Sequence, residues 1–303
     1  MQPILALALI LAALTGCGEA AQRPPTGPSR PGVEVWAVGD SSDGGPAARR
    51  VARLIARARP DRLLYLGDVY YRTEAQEQRG ERAHLTEDQR QATAFGFFEA
   101  DYGPLLRRIL PAAGNHDRAG FFDFWQDQGR VLAPYARTRI AGWDLLSLDS
   151  EGDVGRGSDQ YEWMKGALAR RSGDCRLAFF HRPRHSAGKY ADKGGDLEAL
   201  WSLLRGHARL VVNAHDHNMQ RLRPIDGITV LISGAGGHSH YDVDEGDPAL
   251  AFENDEDDGA LRLELWPGSA AYSFRDVSGR VLDAGRLRCS QGKPNRPDRR
   301  TEG

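Results

Sequence analysis

Residues 109–117 read Ile109-Leu110-Pro111-Ala112-Ala113-Gly114-Asn115-His116-Asp117, an apolar run that breaks at a glycine and continues into three donor-bearing side chains. A run this short is the length of a strand and too short for the face of a helix. The glycine then lets the chain turn sharply as it leaves the strand. The reading is of a strand that delivers an amide, an imidazole and a carboxylate into one loop. In open α/β sheets, ligand sites form at such carboxyl ends.

The same construction recurs on both sides of it. Residues 33–38 run into Gly39-Asp40, residues 63–66 into Gly67-Asp68-Val69-Tyr70-Tyr71, residues 177–180 into His181, and residues 210–212 into Asn213-Ala214-His215-Asp216-His217. Residues 143–148 and 230–232 are further short apolar runs. Helical spacing over residues 46–59, 95–108, 160–171 and 195–204 supplies the crossovers of an α/β fold. Residues 260–266 and 271–276 predict a late hairpin around Pro267-Gly268. Two charged loops, 73–90 and 242–258, interrupt the pattern. The second is rich in Asp and Glu from Asp242 to Asp258, and carboxylate oxygens suit hard cations, but it lacks the spacing of an EF-hand. A solvated, mobile acidic loop is expected there.

With 40 Lys+Arg against 42 Asp+Glu and a formal charge of -2, the chain has no global drive toward nucleic acid, and none is expected as a partner. Its 40% hydrophobic and 27% charged residues fit a globular domain and exclude a disordered chain or a polytopic membrane protein.

The strand-end residues are informative as a set. Alone, Asp40 reads as a turn residue and Asn115 as a helix cap. Together, carboxylates, imidazoles and an amide oxygen at consecutive strand ends are the ligands of divalent or trivalent metals. They are too many for one ion, which implies two ions sharing a carboxylate. Of the remaining histidines, His84 and His207 are expected at the surface, His185 either lines the site or merely occupies its loop, and His238 and His240 follow the glycine-rich turn 234–237.

This set resembles the calcineurin-like metallophosphoesterase superfamily, and within it the purple acid phosphatase branch. That family's pattern of GD, GDxxY, GNHD, a lone His and GHxH stands here as Gly39-Asp40, Gly67-Asp68 through Tyr71, Gly114 through Asp117, His181, and Ala214-His215-Asp216-His217. His181-Arg182-Pro183 and the turn Ser233-Gly234-Ala235-Gly236-Gly237 extend it over roughly residues 33–289. The resemblance implies a four-layer α/β/β/α sandwich with a dinuclear site at strand carboxyl ends. It places one metal on Asp40, Tyr71 and His217, a second on Asn115, His181 and His215, and Asp68 between them. Ser42 stands where many relatives carry a histidine ligand. Tyr71 takes that role in the purple branch, which implies Fe(III) in its site and Zn, Fe or Mn in the other. Ala214 replaces the usual glycine, a change the fold accepts if the backbone angle there is ordinary.

The implied activity is phosphomonoester hydrolysis by a metal-activated hydroxide, with His116 as general acid and Asp117 supporting its ring. Asp216 is expected to orient its neighbours by hydrogen bonding. Arg118, Arg182 and Arg184 follow motif residues and either grip a charged substrate or are surface charge. A phosphodiesterase acting on nucleotides or lipid head groups, and a lipid-anchored scaffold with a residual metal site, are the alternatives.

The amino terminus adds a location. Residues 4–14 are apolar but too short to span a bilayer, as in a signal peptide, and Leu14-Thr15-Gly16-Cys17 resembles a bacterial lipobox. The expected organisation is a signal peptide over 1–16, lipidated Cys17 with a proline-rich tether over 17–32, the domain over 33–289 and a disordered tail over 290–303. That makes the chain an exported lipoprotein of the cell envelope, at the outer membrane or on its periplasmic or extracellular face. In an oxidising compartment Cys175 and Cys289 either pair, tying the C-terminal segment to the body, or remain two separate buried thiols.

Overall fold

Along β1 (Val33–Val38), Val35 and Ala37 point to one core while Trp36 and Val38 point to another, the two-residue alternation of a strand covered on both faces. That alternation decides the layering. The computed structural model describes residues 31–41, 44–69, 87–117, 120–169, 175–191 and 193–289. The expected signal peptide, lipidation site, most of the tether and the tail lie outside the described residues.

In chain order the elements are β1, α1 (Pro46–Ala58), β2 (Arg62–Tyr65), α2 (Glu87–Tyr102), β3 (Ile109–Pro111), α3 (Gly120–Asp127), β4 (Ala136–Ile140), β5 (Trp143–Ser147), α4 (Asp159–Ala169) and β6 (Arg176–Phe179). They continue with α5 (Glu198–Leu204), β7 (Leu210–Asn213), β8 (Met219–Leu222), β9 (Thr229–Ser233), β10 (Leu250–Asn254), β11 (Gly259–Trp266), β12 (Ser269–Asp276) and β13 (Val281–Arg288). One sheet has the order β13-β12-β11-β1-β2-β3 and the other β10-β8-β9-β7-β6-β5-β4. Strands β1, β2 and β3 run parallel, as do β5, β6, β7 and β9, so each sheet has a block of carboxyl ends on one side.

Three apolar cores follow from the alternation. Val35, Ala37 and Leu64 of the first sheet face Leu177, Phe179, Val212 and Leu231 of the second. Outside the first sheet, Trp36 and Val38 pack with Ile55 of α1, Phe98 of α2 and Trp125 of α3. Outside the second, Ala178 and Val211 pack with Met164 of α4 and Trp201 of α5. The result is the helix–sheet–sheet–helix sandwich, with Pro46 opening α1 at a position where its missing N–H costs nothing.

The expected hairpin around Pro267-Gly268 forms between β11 and β12. Two expectations change. Residues 87–90, read as the end of a charged loop, begin α2. The acidic stretch 242–258 contains β10, which pairs with β8, and its carboxylates are engaged: Asp258 with Arg50 and His240, Asp257 with Arg280. Its second half is thus tied to the body, while Asp242 and residues 244–246 stand exposed to solvent as expected. Cys175 and Cys289 form a disulfide with Cα atoms 5.2 Å apart.

Candidate metal centre

The carboxyl ends of β1, β2, β3, β6 and β7 converge, and each brings its motif residue. Asp40 follows β1, Asp68 follows β2, Asn115 follows β3, His181 follows β6, and His215 and His217 follow β7. Asp40, Asp68, His181, His215 and His217 are all buried. Asp68 Oδ2 lies 3.1 Å from His181 Nε2, His215 Nδ1 lies 3.0 Å from the same nitrogen, and Asn115 Oδ1 lies 3.1 Å from it. Ligand atoms of Asp68, His181 and His215 all fall within 4.8 Å of one another. Beside them Asp40 Oδ1 is 3.5 Å from His217 Nε2.

The rings are locked in orientation. His181 donates its Nδ1–H to the Leu66 carbonyl at 2.8 Å, and His217 donates its Nδ1–H to the Ser239 carbonyl at 2.8 Å. Each Nε2 is therefore turned into the site with its lone pair available when the ring is neutral. Burial, followed by the charge of His181, pushes His215 down to about 2; burial dominates at His217 as well, down to about 3. Neutral imidazole is the form that ligates metal. Burial opposes the charged form of Asp68, but His181 and His116 beside it hold the carboxyl well below its ordinary value.

The backbone is bent to make this cluster. Asp40, Asp68 and His215 have φ of 57°, 59° and 69°, in the left-handed region that side chains rarely occupy. Three such residues, each a candidate ligand, are more than turn chemistry requires. The glycines explain the close approach: a Cβ on Gly114 would lie 2.1 Å from Asp68 Oδ1, and one on Gly234 would lie 2.7 Å from Asp40 Oδ2. Ala214 does not adopt a positive φ, and its methyl fills space opposite Gly39, so the alanine fits. Two buried carboxylates, three imidazoles and an amide oxygen with locked orientations fit a pair of cations, which would relieve the cost of burying like charges together.

Neighbouring residues take several parts. The Asp117 carboxylate accepts the backbone N–H of Asp68 at 2.9 Å and of Gly114 at 2.7 Å, and also that of Val69, so it ties the β2 and β3 loops together. His116 donates its backbone N–H to Asp68 Oδ1 at 2.9 Å while the residue stands exposed at the mouth. Arg182 pairs with Glu151 at 3.0 Å and Arg184 with Glu198 at 2.9 Å. His185 packs edge-on against Trp201, in the helical layer, with ring centroids 4.6 Å apart. His207 is exposed as expected, His238 lies beside His217 with centroids 5.1 Å apart, and His240 pairs with Asp258. Asp216 accepts a hydrogen bond from Ser186, which anchors the loop after β6. Tyr71 and Arg118, expected as a ligand and a substrate contact, lie outside the described residues.

Two aromatic residues at the site carried no sequence signal. Tyr190 stacks on His215 with centroids 3.8 Å apart, and Tyr241 stacks on His217 at 3.9 Å. Neither belongs to a motif, and the contact depends on loops far apart in the chain.

The model of the calcineurin-like phosphoesterase family matches residues 33–219. Tartrate-resistant acid phosphatase type 5 of Sus scrofa is 25% identical over 335 aligned residues, covering 92% of each chain. Among solved structures, the purple acid phosphatase PPD1 of yellow lupin superimposes with a TM-score of 0.64 at 18% identity, covering 84% of this chain and 53% of that one. This chain thus spans about half the length of the lupin protein. GAP50 of Plasmodium, described as the anchor in the inner membrane complex, superimposes with a TM-score of 0.65 at 13% identity, covering 87% of this chain and 91% of its own.

Proposed function

The chain belongs to the calcineurin-like phosphoesterase family, and on that premise we propose that it is a metal-dependent phosphomonoesterase with His116 as general acid. The observation that carries the reading is the convergence of Asp68, His181 and His215, with ligand atoms within 4.8 Å of one another, beside the Asp40–His217 pair. Family membership and fold alone would not suffice, since GAP50 shares the fold and is described as an anchor. Here the described candidate ligands all remain and face one another.

Bound metal ions would supply neutralisation of phosphoryl charge and an acidified water for attack on phosphorus. Asp40, Asn115, Asp68, His181, His215 and His217 would hold them, with Tyr71 completing the first site as a phenolate that favours Fe(III) over Zn or Mn. His116, exposed and with its backbone N–H donating to Asp68, would protonate the departing alkoxide. Asp117 acts through the loops it ties, keeping the backbone of Gly114 and Asp68 in register. The lipobox-like stretch around Cys17 supports an envelope lipoprotein, which the mass of the mature amino terminus would test.

The experiment reloads metal-free, full-length protein with Fe and Zn, separately and together, and follows 4-nitrophenyl phosphate and bis(4-nitrophenyl) phosphate. The expected result is metal-dependent monoester turnover, with kcat reduced on the order of 10²–10⁴-fold in His116→Ala while circular dichroism is unchanged. A rate confined to the diester would replace the monoesterase reading with the phosphodiesterase. A visible phenolate–iron band abolished in Tyr71→Phe is expected if Fe(III) occupies the first site; a colourless active enzyme would remove iron from the reading.

A further inference from the structure

The loop after β6 brings two lysines over tyrosines that stack on candidate ligand histidines. Lys189 Nζ stands 3.6 Å from the centre of the Tyr241 ring, and Lys193 Nζ stands 4.9 Å from that of Tyr190. Each tyrosine in turn lies flat on a candidate ligand, Tyr241 on His217 and Tyr190 on His215. Each ammonium is therefore one aromatic ring away from the site. Both lysines are exposed, and among the described residues neither makes a side-chain ion pair, although the charge of Lys189 is felt by the buried Asp216 carboxylate. Elsewhere on this molecule exposed cations are often paired, as in Arg280–Asp257 and Lys165–Glu162.

The arrangement is built rather than incidental. The Ala187 N–H donates to Gln220 Oε1 at 2.8 Å, and Ser186 bonds Asp216 underneath. Gly188 has no side chain because a Cβ there would lie 2.8 Å from the Asp216 carboxylate. On the other side the Tyr241 N–H donates to the His217 carbonyl at 3.2 Å, and the Asp244 N–H to the Ala187 carbonyl. Both tyrosines are thus fixed to the loop that carries His215 and His217. Cation–π contact then holds the ammoniums over the rings, with donors still facing solvent. With Lys189 covering the Tyr241 ring, this wall offers exposed ammonium donors rather than an open stacking surface.

We infer that Lys189 and Lys193 form an anion subsite beside the metal centre, selecting phosphomonoesters whose leaving group carries a second phosphate. This deepens the phosphomonoesterase reading and rests on it. An ammonium offers charge-assisted hydrogen bonds to phosphate oxygens, and preorganised cations gain most from a ligand already tethered by its scissile phosphate.

The test compares fructose 1,6-bisphosphate, fructose 6-phosphate and 4-nitrophenyl phosphate on metal-loaded full-length protein and its Lys189→Ala/Lys193→Ala variant. Metal content is measured on both. The expected result is a rise in KM for the bisphosphate of roughly tenfold or more, with kcat/KM for the other two substrates held within about twofold. Lys189→Arg/Lys193→Arg should restore most of the preference, and added salt should erode it. Equal loss on all three substrates, or a fall in bound metal, would show that the lysines serve the metal centre and overturn the subsite. Unchanged kinetics would overturn it too, while leaving the monoesterase reading intact. If folded, metal-loaded protein turns over none of them, calorimetric titration with fructose 1,6-bisphosphate decides. Lysine-dependent binding would keep the subsite and sink the activity; its absence would sink both.

Discussion

Gly39 and Ala214 meet where the ends of β1 and β7 approach each other from facing sheets. A Cβ on Gly39 would lie 2.5 Å from the Ala214 methyl, closer than two carbons can sit. One of the two positions can hold a methyl, and this chain places it on the residue before His215. Gly39→Ala should therefore cost about 1–3 kcal/mol, the range for overpacking a tight core. Ala214→Gly, which removes a buried methyl, should cost about 1 kcal/mol. The double variant should be more stable than the two losses combined would give, with a coupling of at least about 0.5 kcal/mol. Urea unfolding of the four proteins reads this directly, and additivity within about 0.3 kcal/mol would remove the steric account. The same pair shows what a motif conveys. The candidate ligand residues stood out because strand ends carry chemistry in order along the chain. The stacking of Tyr190 and Tyr241 was not, because it depends on two loops meeting in space.

Elements differ in how plainly they announce themselves, and burial is the reason. Strands β1, β2, β6, β7 and β9 are covered on both faces and read as continuous apolar runs. Strands β4, β10 and β13, each at a sheet edge, and the short interior strand β8 keep polar residues and escaped the sequence reading. For β13 part of the missing signal lies in the turn before it. The Asp276 carboxylate accepts the N–H of Ser278 at 2.9 Å and that of Arg280 at 3.0 Å, and takes Arg280 Nε at 2.8 Å. Burial tends to raise this carboxyl, but bonds from Ser278 and Arg280 outweigh it and hold the group at about 2. Because the folded-state value lies below the ordinary 3.8, the stabilisation is fully present above that pH and is lost as pH falls toward 2. Asp276→Asn should lower stability at pH 7 by about 1 kcal/mol, discounted for solvent screening. The gap between variant and parent melting curves should close between pH 5 and 2. A constant gap across that range would mean that shape, not charge, makes the turn.

At the scale of the whole molecule, the Cys175–Cys289 disulfide joins the two sheets at the end away from the metal centre. Cys175 precedes β6, whose far end delivers His181, and Cys289 follows β13, the edge strand of the other sheet. The bridge spans 114 residues of sequence, so the unfolded chain loses much of its freedom when it is closed. It also holds an edge strand whose outward residues bury little. Replacing both cysteines by serine should cost about 2–5 kcal/mol, roughly 4–20 °C in Tm at about 2–4 °C per kcal/mol. Because every described candidate ligand sits at the opposite strand ends, the folded fraction should keep its metal stoichiometry and its kcat. Calorimetry with and without reductant on the unmutated protein gives the same comparison without replacing a side chain. A Tm unchanged by reduction, with free thiols confirmed, would mean that sheet packing alone holds β13. Lost metal binding at full folding would mean that the sandwich transmits strain from one end of β6 to the other.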